Sequence, residues 1–175
     1  VIRRLAHRRQ RLGHRRVAYL GSSVASSVTE DRYGGYVDAL TRHGVALDPA
    51  LVASCLPRWS DAKQAMNALL ALSPPPTALV CFNDLLALGA MLAISESGRQ
   101  PGRDLAVVGF DDIELASVWR PGLTTVAVRP REIGREAGRV LLERIAGARR
   151  PAERVLLAPR LIVRESCGAA RATEG

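Results

Sequence analysis

Two short apolar segments of this chain end abruptly in polar residues that could recognise a small molecule. Asn83 follows the apolar run 78–82, Asp111 follows the run 105–110, and an aspartate comes directly after each of them. A carboxylate accepts hydrogen bonds, and an amide both donates and accepts them. These side chains suit hydroxyls or ring N–H groups, which is a chemistry of recognition, and no catalytic residue is predicted among them.

The elements that position these residues read as alternating strands and helices. A continuous apolar run bounded by breakers is typical of a strand covered on both faces. Alternation with helical patterns predicts right-handed crossovers and an α/β fold, a mainly parallel doubly wound sheet with helices on both faces. Ligands of such sheets lie beyond the carboxyl ends of the strands. The predicted strands are 17–20, 51–56, 78–82, 105–110 and 123–128.

Helical periodicity and capping residues complete this prediction. Ser60-Asp61 is expected to cap one helix, and the prolines from Pro74 onward end it. Two further short strands are predicted at 155–157 and 161–163. The predicted helices are 2–12, 31–42, 62–72, 85–97 and 130–146.

The composition excludes several classes of protein. The net charge of +8 is concentrated in residues 1–16, which hold seven arginines and no acid, while the remainder carries 18 basic and 17 acidic groups. This pattern favours a solvated helix face over contact with phosphates. No apolar run is long enough to cross a membrane. The three cysteines lack metal-ligand spacing and are predicted to be buried thiols in a cytoplasmic protein, so no metal site is expected.

Motifs for nucleotide binding and for covalent catalysis are absent from the sequence. No Gly-x-x-x-x-Gly-Lys loop or Gly-x-Gly-x-x-Gly turn follows a strand, and no Gly-x-Ser-x-Gly elbow occurs. His7, His14 and His43 lie away from the strand ends. The sequence therefore predicts a binding protein with no cofactor.

Six segments in a fixed order resemble one known family. They are Leu12 to Ala18, Arg32 to Tyr36, Asn83 to Gly89, Val107 to Ile113, Pro121 to Val126 and Leu161 to Ser166. Together they resemble the C-terminal part of the lactose-repressor (LacI) family of bacterial transcription regulators. Members of that family carry a helix-turn-helix headpiece followed by a two-lobed sensor, and an effector held between the lobes changes operator affinity.

The resemblance implies a division of this chain. Residues 1–127 would form the distal effector-binding lobe, and residues 128–158 would be a returning segment of the proximal lobe. Residues 159–166 would cross back, and residues 167–175 would form a flexible tail. Nothing in the chain resembles a recognition helix, so operator DNA would be bound only through a headpiece absent from this sequence.

The resemblance also implies an effector site formed by Arg32, Trp59, Asn83 and Asp111. Arg32 would donate to hydroxyls or a carbonyl, Asn83 and Asp111 would pair with polar edges, and Trp59 would cover an apolar face. A sugar is the favoured effector, and a nucleobase would also fit. The alternatives are a surface salt bridge for Arg32, helix caps for Asn83 and Asp111, and core packing for Trp59.

The family forms dimers through helix faces of the distal lobe, which implies a homodimer here. Ordinary core packing is the alternative for the leucines. The residues that match this seam are Leu88, Met91, Leu92, Val118 and Trp119. A separate apolar stripe formed by Ile133, Ala137, Leu141 and Ile145 would need cover from a partner chain or a swapped arrangement.

The sequence thus predicts the ligand-sensing and dimerisation region of a DNA-binding transcription regulator. A sugar-binding protein of a transport system is the second hypothesis, and a small α/β enzyme is the third. A helix-turn-helix encoded at the start of the gene would separate the first from the second. Turnover of a sugar or nucleoside would support the third.

Overall fold

Four strands form the parallel sheet that the sequence predicts. The computed structural model describes residues 13–147 and 154–168. β1 (Val17–Ser22), β2 (Val52–Cys55), β3 (Ala78–Cys81) and β4 (Ala106–Val108) pair in the order β2-β1-β3-β4, and all three pairings are parallel. The prediction of a mainly parallel sheet is confirmed.

The fifth predicted strand is only loosely joined to this sheet. β5 (Thr125–Ala127) pairs antiparallel with β6 (Arg160–Ile162) and meets the end of β4 through isolated parallel bridges. Residues 155–157 are not a strand, contrary to the prediction. The physical reason is that a strand needs a hydrogen-bonding neighbour, and the described part of the chain offers none at this position.

Four of the five described helices overlap predicted helices, whereas the short helix at residues 114–118 was not predicted. The five are α1 (Ser27–Arg42), α2 (Trp59–Leu70), α3 (Asp84–Glu96), α4 (Glu114–Val118) and α5 (Pro130–Ile145). The start of α1 is capped by Ser26, whose hydroxyl accepts from the Thr29 N–H. The predicted Ser60-Asp61 cap is wrong, because α2 begins one residue before Ser60 and has no side-chain cap. The predicted helix 2–12 and most of the predicted tail lie outside the described residues.

Helices cover both faces of the sheet, as predicted. Along β1, Val17 and Tyr19 pack against α1, whereas Ala18 and Leu20 contribute to the larger core with α2 and α3. The connection from β1 turns outward to β2, and the chain then returns across the sheet to β3 on the other side of β1. The strand order therefore reverses between β1 and β3, which is where doubly wound sheets bind ligands.

The apolar stripe of α5 lies in solvent within the described part of the chain. No residue of α5 is buried, and Leu141 and Ile145 are 60% and 73% exposed. Covering a large apolar side chain is worth roughly 1.5–3 kcal/mol. None of the described helices is long and apolar enough to cross a membrane.

Candidate functional site

Arg32 contacts the residues that follow β3 and β4, near the point where the strand order reverses. Its Nη1 donates to the carbonyl of Phe82 at 2.5 Å, and its Nη2 donates to Asp111 Oδ1 at 3.1 Å. The guanidinium carbon lies 4.5 Å from the centre of the Phe82 ring and 3.9 Å from that of Phe110. Two aromatic rings thus contact the cation. Two of the predicted site residues, Arg32 and Asp111, are brought together.

The backbone at Asp111 is held in an unusual conformation. Asp111 and Asp112 have φ angles of 116° and 58°, a region that residues with a side chain rarely adopt. Burial raises the pKa of Asp111, and the charge and hydrogen bond of Arg32 oppose that rise. The Asp111 side chain remains one-third exposed. Together the two residues present donors and acceptors with no net charge, which matches hydroxyl groups better than free anions.

Asn83 lies next to this pair and also caps α3. Its Oδ1 accepts from the Leu86 N–H at 3.0 Å, as the helix-cap alternative expected. The Asn83 amide nitrogen makes no hydrogen bond with the described residues, so one side of the carboxamide is left for a ligand. Capping and ligand binding are therefore compatible roles for this residue.

Trp59 contacts Trp119 and α3. It is the first residue of α2, and its ring meets Trp119 edge-on with 5.5 Å between ring centres. Both indoles are half-buried against the main core. α3 approaches closely here, since a Cβ at Gly89 would lie 2.7 Å from the Trp59 carbonyl oxygen. The contacts of Trp59 are those of the core-packing alternative, and they do not join it to Arg32 or Asp111.

The structure corrects two of the predicted dimer residues. Leu88 and Met91 are completely buried inside the chain, so they have no surface to offer a second copy. The reason is that α3 is covered by the sheet on one side and by α2 on another. Leu92 and Trp119 are half-buried, and Val118 is 59% exposed.

Asp84 forms a buried polar centre beneath the site. It is fully buried, and its two oxygens accept from the hydroxyl of Thr125 at 2.5 Å and from the N–H of Ile113 at 2.9 Å. Burial raises the pKa of Asp84, and these two hydrogen bonds oppose the rise. Its carboxylate ties α3 to β5 and to the segment that follows Asp111. No group of metal-binding residues occurs in the described ranges 13–147 and 154–168.

Comparison with known proteins identifies the fold family. Residues 7–167, nearly the whole chain, match the model of the periplasmic binding protein-like domain. The chain belongs to this family. Its mainly parallel sheet agrees with this assignment.

Relatives of this periplasmic binding protein-like domain are transcription regulators. The chain is similar to the HTH-type transcriptional repressor PurR of Mannheimia succiniciproducens, with 34% identity over 88% of this chain and 46% of the repressor. It resembles the structure of a LacI-family regulatory protein from Chloroflexus aggregans, with a TM-score of 0.89 and 32% identity over 94% of this chain and 59% of that one. It also resembles the transcriptional regulator CelR in complex with cellobiose, with a TM-score of 0.86 and 33% identity over 94% and 50% of the two chains.

These similarities confirm the predicted resemblance to LacI-family regulators. The relatives are repressors and not enzymes. The chain spans about half the length of the curated relatives it matches.

Two aspartates that follow the predicted site residues have roles that the sequence did not indicate. Asp84, next to Asn83, is a buried acceptor, and Asp112, next to Asp111, pairs with Arg164 at 2.8 Å. The repeated acid after each strand end was the available signal. The partners of these acids lie 29 to 52 residues away, which no local pattern could supply.

Two tyrosines in the domain offer a matched test of buried hydroxyls. Tyr36 donates to the Val17 carbonyl at 2.8 Å, whereas the buried hydroxyl of Tyr19 has no partner among the described residues. Burial raises the pKa of Tyr19 to about 12. Removing a hydrogen-bonded hydroxyl loses about 1 kcal/mol, and an unsatisfied one costs stability. We expect Tyr36→Phe to lower the free energy of unfolding by about 1 kcal/mol and Tyr19→Phe to raise it by a similar amount.

Urea denaturation of both variants measures these changes directly. Phenylalanine keeps the ring contacts between the two residues, whose ring centres are 5.1 Å apart. A loss of stability in Tyr19→Phe as large as that in Tyr36→Phe would show that the Tyr19 hydroxyl is already satisfied.

Proposed function

We propose that this chain is the ligand-sensing and dimerisation region of a DNA-binding transcription regulator of the LacI family. It binds a small effector, with a sugar favoured, and the effector alters the operator affinity of the intact protein. The observation that carries the proposal is the Arg32–Asp111 pair at the reversal of the strand order. A crevice with a few convergent polar groups is the usual form of a small-molecule site.

The contacts of the Arg32–Asp111 pair favour a neutral polyol as the effector. Arg32 is held by hydrogen bonds from both terminal nitrogens and by contact with two aromatic rings, so its remaining donors are already oriented before a ligand arrives. Asp111 neutralises the charge of Arg32, so the pair offers no excess positive charge to a phosphate. Asn83 supplies a further donor, and Trp59 provides an indole on the α2 side. A regulator of similar structure forms a complex with cellobiose, which is in keeping with a sugar ligand.

The remaining parts of the chain are assigned within the same proposal. Residues 1–127 belong to the distal lobe, residues 128–158 to the returning segment and residues 159–166 to the crossover. The intact protein binds operator DNA through a separate headpiece in the bacterial cytoplasm. The chain forms a homodimer through the surface around Leu92, Val118 and Trp119, where Val118 is the exposed member.

Asp111→Ala tests the effector site. We expect the variant of the parent protein to bind its effector more weakly by roughly 1–3 kcal/mol, because polar partners in the bound ligand lose their acceptor. A thermal-shift screen against sugars, with cellobiose first, and against nucleobases identifies the ligand. Isothermal titration then measures the affinity of each variant.

Asp38→Ala is the matched control, since Asp38 is an exposed aspartate in the same chain. It should bind the effector as the unsubstituted protein does. Equal affinities of the Asp111→Ala and Asp38→Ala variants would contradict the proposed site. Binding of nucleobases alone would replace the sugar as effector while leaving the site in place.

A further inference from the structure

The bend after β4 is strained and is therefore held by its surroundings. Two successive residues, Asp111 and Asp112, have positive φ angles. Strained backbone of this kind costs on the order of 1–3 kcal/mol per residue and persists only where neighbouring contacts hold it. The next residue, Ile113, donates its N–H to the buried Asp84 carboxylate. The residue that follows the bend is therefore held by a hydrogen bond to a buried side chain of the core.

Asp112 is fixed from a different part of the chain. Arg164, two residues beyond β6, donates its Nη2 to Asp112 Oδ1 at 2.8 Å and its Nη1 to the Leu123 carbonyl at 2.8 Å. The backbone of Arg164 is held in turn, because its N–H donates to Thr124 Oγ1 and its carbonyl accepts from the same hydroxyl. Both charged side chains are largely buried, at 19% and 27% exposure. Such a pair is screened from solvent much less than a surface ion pair.

We propose that Arg164 is a positioning residue for the effector site. By holding Asp112, it keeps the bend in the conformation that directs the preceding carboxylate, Asp111, toward Arg32. Arg164 touches no part of the Arg32–Asp111 pair itself and acts only through Asp112. This inference rests on the proposed function for the role of Asp111, but the geometry it asserts can be measured without any ligand.

The position of Arg164 gives this contact a second consequence. The residue lies in the segment 159–166, immediately after the strand β6 that pairs with β5. A displacement of β6 along β5 would move the Arg164 guanidinium away from Asp112. The bend and the crossover segment should therefore move together, so that effector contact at Asp111 is coupled to the position of β6.

Nuclear magnetic resonance of the 175-residue chain tests the positioning role. Arg32 donates hydrogen bonds from both terminal nitrogens and contacts two aromatic rings, so its guanidinium protons should give separate, slowly exchanging signals. We expect these signals to be lost in Arg164→Gln and in Asp112→Asn. Asparagine tolerates positive φ as aspartate does, so Asp112→Asn removes the charge and keeps the backbone preference. Arg164→Lys retains the charge and should restore the signals in part.

Arg16→Gln is the control, because it removes an ion pair with Asp48 at the other end of β1. It should leave the Arg32 signals unchanged. If Arg164→Gln and Asp112→Asn keep the amide spectrum of β1 and also keep the Arg32 signals, the positioning role is overturned. Should Arg164→Gln fail to fold, the better-tolerated Asp112→Asn decides the question.

Titration with cellobiose separates this inference from the proposed function. If the unsubstituted chain binds cellobiose, Arg164→Gln should weaken that binding about 5- to 50-fold, and unchanged binding would count against positioning. If the unsubstituted chain does not bind it, this lobe alone does not hold cellobiose, and the Arg32 signals still decide the role of Arg164.

Discussion

Replacing Asp84 with alanine is expected to lower the free energy of unfolding by about 2–4 kcal/mol, while Asp84→Asn leaves it nearly unchanged. Alanine leaves the buried Thr125 hydroxyl and the Ile113 N–H without their acceptor. Asparagine keeps both contacts, because its oxygen accepts from Ile113 and its amide donates to a reoriented Thr125 hydroxyl. Urea denaturation at neutral pH measures both variants. Equal losses in the two would show that the negative charge itself is required.

The dependence of stability on pH gives a second measurement on the same residue. Burial raises the pKa of Asp84 above its ordinary value of 3.8, so the folded chain holds this proton more tightly than the unfolded chain. The contribution of this carboxyl is therefore fully present below the unfolded pKa and is lost as the pH rises through the folded pKa. We expect the unfolding midpoint to fall as the pH is raised above about 4, and to fall less steeply in Asp84→Asn. A steeper fall in that variant would assign the dependence elsewhere.

Gly102→Ala is expected to destabilise the chain by about 2–5 kcal/mol, the sum of a backbone cost and a steric cost. Gly102 has a φ of 83°, and an added Cβ would collide with the carbonyl oxygen of Glu165. The collision pushes on Ser166, whose hydroxyl donates to the Val107 carbonyl and accepts from the Thr124 N–H. The short helical turn at residues 165–167 would thus lose its attachment to the sheet.

Gly98→Ala separates the backbone cost of Gly102→Ala from its steric cost. Gly98 has a similar φ of 79°, but nothing lies within 4 Å of its added Cβ. Gly98→Ala should therefore lower the free energy of unfolding only by the backbone cost, about 1–2 kcal/mol. The difference between the two variants in chemical denaturation reports the collision with Glu165. Identical losses would mean that residues 165–167 move aside without cost.

Local sequence signals predicted the sheet and the edge at which the polar strand ends lie. Apolar runs that end in polar residues are local features, so the sequence alone indicates where β3 and β4 end. The resemblance supplied Arg32 and Asp111 as site residues, and the structure brings them together. Trp59 and Asn83 remain predictions as ligand contacts, because their described contacts are also those of a core residue and a helix cap.

The roles that escaped prediction depend on contacts between distant parts of the chain. α3 is apolar on nearly every side, so periodicity could not distinguish residues facing the core from residues facing a partner, and Leu88 and Met91 were assigned wrongly. The roles of the two acids that follow β4 depend on the backbone angles at Asp111 and Asp112 and on the distant Arg164. Such backbone angles are set by the packing of the folded chain, and they produce no periodic pattern in the sequence.

The contact between Trp59 and Trp119 gives the chain an intrinsic optical reporter. These are the only two tryptophans of the sequence, and their rings are 5.5 Å apart. All of the indole emission therefore originates where a proposed ligand contact meets a proposed dimer contact. A sugar stacking on Trp59 and a second copy covering Trp119 would each alter the emission, one with ligand concentration and the other with protein concentration. Both events can be followed by fluorescence without attaching any dye.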